Sequence, residues 1–119
     1  MGNVNTAEKN GKEIVLVDFS GEKAEKVPGI IEEAAKIIRN KPENTVLTLT
    51  NVKNTLYNSE TVKQFNDFVK GNKPYVKAGA VIGLSKVKTV ILNAINQAAG
   101  RNIKAFTDEE EALEWLGMQ

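Results

Sequence analysis

The residues best suited to hold a charged group are in the stretch Gly83-Leu84-Ser85-Lys86-Val87-Lys88. There a glycine, a hydroxyl and two ammonium groups stand at the head of a segment with helix-spaced apolar residues. Unpaired N–H groups and the dipole at a helix start attract anions, so Gly83, Ser85, Lys86 and Lys88 form a candidate cradle for a phosphate or carboxylate. The spacing is not that of a P-loop. On the plainer reading Gly83 ends a strand, Ser85 caps the helix and both lysines are solvated. A second group is Tyr57-Asn58-Ser59. Tyr57 would serve as a partner-binding anchor or fold over the sheet edge. Asn58 or Ser59 would cap the next helix, and Ser59 is also a candidate phosphosite, where the helix dipole favours the phosphate and Glu60 opposes it.

Other chemistry is limited by what the chain lacks. It has no cysteine and no histidine among its 119 residues. Disulfides are excluded, as is Cys or His ligation of zinc, haem or iron–sulfur clusters. The thiol nucleophile and the side chain that most often serves as general acid or base are missing too. No metal site and no cofactor are expected, and the chain reads as a non-enzyme. Glu109, Glu110 and Glu111 resemble a carboxylate cluster, but acidic residues belong in a first helical turn, and capping explains them.

The formal net charge of +1 hides segregation, because Lys53–Lys104 is strongly basic while all charged residues after Lys104 are acidic. The basic residues are spread over loops and helix ends without interleaved aromatics, so nucleic-acid binding is not expected. The apolar runs are too short for an integral membrane segment, and the polar start lacks a signal-peptide core, so a cytoplasmic location is expected.

The elements that would position these groups alternate strand and helix. Glu13–Phe19, Thr45–Thr50, Val76–Ile82 and Ile103–Phe106 are short β-rich apolar runs bounded by breakers, and each reads as a strand. Ile30, Ile31, Ala34, Ala35, Ile37 and Ile38 recur at the helical period after Pro28. A second helix would bury Val62, Phe65, Phe68 and Val69 and stop at Gly71. The third would run from Ser85 to Gly100, and the last would carry Leu113, Trp115 and Leu116 and stop at Gly117. Either Thr107 with Glu110 or Asp108 with Glu111 makes a capping-box pattern. Alternation implies parallel pairing through helical crossovers. The expected fold class is α/β: a mainly parallel open sheet of four to five strands with about four helices packed on it. Residues 1–12 are expected to be a flexible arm or an edge strand turning at Asn10-Gly11, and 13–119 a single domain.

Three segments carry a resemblance: Asn102–Leu116 (NIKAFTDEEEALEWL), Lys77–Gly83 (KAGAVIG) and Val46–Phe65 (VLTLTNVKNTLYNSETVKQF). Their order and spacing resemble the SpoIIAA-like, SEC14-related branch of the STAS family. The resemblance implies a mainly parallel sheet with four helices, used to bind protein partners, nucleotides or lipids. It also implies that Asn58-Ser59 falls where antagonists of that family carry an Asp-Ser pair switched by phosphorylation. Here asparagine replaces the aspartate, and Glu60-Thr61 replaces the Ser-Gly that usually follows. The expected function is a regulatory module acting through protein–protein contact. The alternative is a small-ligand domain related to CRAL-TRIO, with lipid or nucleotide over the strand ends.

Overall fold

The computed structural model describes residues 3–54, 59–83 and 103–119. Its centre is one five-stranded sheet in the order β1-β2-β3-β4-β5, formed by Asn3–Lys9, Lys12–Asp18, Val46–Asn51, Val76–Ile82 and Ile103–Phe106. β1 pairs antiparallel with β2, and all later neighbours are parallel. This is the α/β sheet expected from the alternation of patterns. Three α helices lie among the described residues: α1 (Val27–Arg39), α2 (Ser59–Asn72) and α3 (Glu109–Gly117). The helix expected between Ser85 and Gly100 falls outside them.

The first two strands form a hairpin in which Lys9 faces Lys12 across Asn10-Gly11. Both turn residues have positive φ, 53° and 76°, the geometry of a type I′ turn, which Asn-Gly accepts at low cost. Residues 3–9 are thus an edge strand of the sheet.

The strand period of two divides the core into two layers. Val15, Val17, Phe19, Val46 and Val52 face α1 and α2, together with Val27, Ile30, Ala34, Ile38 and Phe68 of those helices. Ile14, Leu47, Leu49, Ala78, Ala80 and Ile82 face the other way and pack on Ala112 and Leu116 of α3. In α1 the buried stripe is Val27, Ile30, Ala34 and Ile38, and the other expected apolar residues, Ile31, Ala35 and Ile37, are half-buried. Phe19 and Phe65 meet edge to face at 5.0 Å and tie β2 to α2.

The buried face of α2 follows the expected one at Phe68 and, packed against the same core, Phe65, with two polar residues added; the side chain of Val62 lies outside those described. Phe68 is buried, but Phe65 and Val69 are half-buried, while the polar Thr61 and Asn72 are almost wholly enclosed. Asn72 is admitted because its Oδ1 accepts a hydrogen bond from Arg39 Nε at 3.1 Å. Of the glycines expected as helix stops, Gly100 lies outside the described residues, Gly117 is the last residue of α3 and Gly71 stands one residue before the end of α2, neither with a positive φ. Close approach explains them: a Cβ on Gly71 would strike the Arg39 guanidinium, and one on Gly117 would lie 2.8 Å from Asn10 Nδ2.

Candidate functional site

The four parallel strands deliver their carboxyl ends to one rim, where the sequence placed its candidates. β2 and β3 leave the sheet through the same device. Asp18 Oδ1 accepts from Ser20 N at 2.8 Å, and Asn51 Oδ1 accepts from Lys53 N at 3.0 Å. A short carboxylate or amide two residues ahead of a free N–H closes an Asx turn and satisfies a donor that the strand no longer serves.

Main-chain pairing continues beyond the strands. Phe19 N donates to Asn51 O at 2.8 Å, Gly21 N to Lys53 O at 3.0 Å, and Val52 N to Ile82 O at 3.0 Å. Val52, just beyond β3 and outside the run expected as a strand, is buried in the core. Gly83 closes the same end of β4 with φ +89°, and a Cβ there would lie 2.5–2.8 Å from the N, Cα and Cβ of Lys53. Gly83 therefore brings two strand ends together more closely than any other residue allows. The exposed residues along this rim include Gly21, Lys53, Asn54, Ser59, Gly83, Thr107 and Asp108.

Of the sequence-derived candidates, Gly83 and Ser59 are described. Gly83 ends its strand, as the plainer reading had it, with the added close contact to Lys53. Ser59 is the exposed first residue of α2. Thr61, one of the two residues that replace the usual Ser-Gly, is buried in the core and not presented at the rim. Tyr57, Asn58, Ser85, Lys86 and Lys88 lie outside the described residues.

At the last strand Asp108 is the N-cap of α3, its Oδ1 accepting from Glu110 N at 3.0 Å, and the three following glutamates are exposed in the first turn. Phe106 and Trp115 pack at 5.6 Å, with Lys104 Nζ 5.3 Å from the Phe106 ring centre. Trp115 thus helps hold α3 to β5. Among the described residues no group of three or more acidic side chains could hold a metal ion, and no helix is long and apolar enough to cross a membrane.

Sequence reasoning missed Asp18, Asn51 and Lys53. The available signal was an Asp or Asn ending each of two apolar runs, a pattern that Asx turns favour.

No protein-family model matches the chain, and no curated protein sequence does. Solved structures do. An uncharacterized protein of the DUF3478 family from Shewanella loihica PV-4, with a SpoIIAA-like fold, superimposes with a TM-score of 0.71 at 16% identity, covering 96% of this chain and 92% of that one. An anti-sigma-factor antagonist (STAS) domain protein from Planctomyces limnophilus gives 0.63 at 12% identity, covering 95% and 97%. The chain therefore has the SpoIIAA-like, STAS-type fold.

Proposed function

We propose that the chain is a non-catalytic regulatory module that binds a protein partner across the carboxyl rim of its sheet. The observation that carries this reading is the closure of the rim. Main-chain bonds cross from β2 to β3 and from β3 to β4 beyond the strands, and Gly83 packs on Lys53. Among the described residues such an end offers a firm surface. The strand order also runs without reversal, so the sheet has no switch point at which a small ligand would find a ready crevice. Protein contact needs no crevice, only complementary exposed groups on a firm support.

The proposed contact residues are Tyr57, Asn58, Ser59, Gly83, Ser85, Lys86 and Lys88, with Lys53 beside Gly83. The similar domain named as an anti-sigma-factor antagonist supports a regulatory partner of this kind. Ser59 is the proposed control point: it is exposed at the start of α2, where a phosphate would add negative charge beside the helix dipole. The absence of histidine and cysteine supports the non-catalytic part of the reading.

The test is affinity capture from a lysate of the source cells. The baits are wild type, Ser59→Glu, and a Tyr57→Ala, Ser59→Glu double variant, each first shown to be folded by circular dichroism. A specific partner retained by wild type and lost by the double variant is the expected result. Identical partner sets from all three baits would reject the rim as the binding surface.

A further inference from the structure

The two edges of the sheet are built differently. β5 has four residues, one of them the exposed Lys104. β1 has seven, pairs with β2 without a register shift, contains no proline and is uncharged until Glu8. Proteins keep edge strands from pairing by making them short, charged, bulged or interrupted by proline. Residues 3–7 carry none of these safeguards.

The hairpin turn fixes which main-chain groups of β1 are spare. Residues flanking a two-residue turn exchange hydrogen bonds, and bonded and non-bonded pairs then alternate along the strands. Lys9 and Lys12 flank this turn, so residues 3, 5, 7 and 9 bond inward to β2, while Val4, Thr6 and Glu8 aim their N–H and C=O groups outward. Among the described residues nothing pairs with that outer edge.

The charges select what can. The hairpin already sets Glu8 opposite Glu13 and Lys9 opposite Lys12. Like charges directly opposed are unfavourable, so a further strand must bring neither sign to that end. A second β1 meets this condition when it runs antiparallel about Thr6. Glu8 then falls opposite Val4 and Lys9 opposite Asn3, and all three outward residues find bonded partners. Other bonded registers are shorter, and the one centred on Glu8 opposes two carboxylates. The exposed, β-branched Thr6 meets its own copy at the axis, a pair that antiparallel strands favour.

We infer that β1 is a self-association edge: two copies of this chain pair their β1 strands antiparallel about Thr6 and join their sheets into one. The two carboxyl rims then point in opposite directions and both stay open, so the pairing does not depend on what binds there. A strand of seven residues covers less than the roughly 800 Å² per partner of a stable complex, and the dimer should therefore form only at high concentration.

Sedimentation velocity of the full chain from about 10 µM to about 1 mM should show monomer passing into dimer. Thr6→Pro removes an outward N–H from each copy and none that bonds β2, and should raise the concentration needed by about tenfold. Because the chain has no cysteine, Thr6→Cys and Glu8→Cys each supply a single thiol. Across the axis the Cα atoms of the two copies are about 5.5 Å apart at position 6, within disulfide reach, and about 14 Å apart at position 8, beyond it. Mild oxidation should link Thr6→Cys and leave Glu8→Cys unlinked. A monomer throughout the range, a dimer untouched by Thr6→Pro, or equal linking at both positions would each overturn the inference. The wild-type concentration series and the two cysteine variants decide it even if Thr6→Pro fails to fold.

Discussion

Arg39 of α1 lies across Gly71 of α2 and donates from Nε to the buried Asn72 Oδ1 at 3.1 Å, so one side chain both occupies the space above the glycine and satisfies the amide beside it. Arg39→Met should cost about 1–3 kcal/mol, the penalty for leaving a buried polar group unsatisfied. Gly71→Ala should gain about 1 kcal/mol of helix propensity but displace the guanidinium, and the two effects should nearly cancel. In the Arg39→Met background the same alanine should become stabilising. Urea unfolding of the four proteins measures this coupling, and strict additivity would show that Arg39 does not occupy the site.

Gly83→Ala is expected to be far more severe. A β-carbon there meets the main chain of Lys53, which cannot swing aside as a side-chain tip can, and the φ of +89° is strained for any L-residue. The two effects together should cost about 3 kcal/mol or more, placing this among the largest single-site losses. A melting temperature within a few degrees of wild type would show that the rim yields where it is described as closed.

The contrast between these glycines indicates what the sequence could reveal. β4 and β5 have the bounds expected of them, because short apolar runs were set off by Pro74, Gly83 and Thr107. β2 and β3 each begin and end one residue away from expectation. For β2, apolar Phe19 read as its last residue, although the chain already turns at Asp18 to Ser20. Gly71 and Gly117 stand at helix ends as expected, but the neighbours that crowd them, Arg39 and Asn10, are distant in sequence and left no local signal. Val52 lies beyond the run expected as a strand, and its burial depends on strands outside its own segment. The meeting of Lys12 and Lys77 at Gln119 was not legible: Lys12 and Gln119 are 107 positions apart, and period-two alternation cannot reveal the bulge at Lys77.

Phe19 should be the most costly aromatic to remove. It is fully buried and meets Phe65 edge to face at 5.0 Å, so it anchors the carboxyl end of β2 to α2. Phe19→Ala should lose about 3–5 kcal/mol through lost transfer energy and the remaining cavity. Phe65, half-buried, should lose less. A double-mutant cycle with Leu at both positions should return a coupling of about 0.5–1.5 kcal/mol for the ring contact. Zero coupling would mean that the rings only fill space.

Asp108 offers a local test, because the one tryptophan of the chain, Trp115, lies in the helix that this residue caps. Asp108→Ala removes the acceptor for Glu110 N and should destabilise α3 by about 1 kcal/mol, whereas Asp108→Asn keeps an acceptor oxygen and should lose little. Trp115 fluorescence reports α3 directly, since the indole packs on Phe106 of β5 at 5.6 Å. If α3 unfolds together with the sheet, fluorescence and far-ultraviolet circular dichroism should shift to the same lower midpoint in Asp108→Ala. If fluorescence moves first, α3 is a separately opening unit, and Lys12 and Lys77, which hold the Gln119 main-chain oxygen just beyond it, would be freed before the domain unfolds. Coincident transitions are expected, because Ala112 and Leu116 of α3 are fully buried in the same layer as Leu47, Ala78 and Ala80 of the central strands.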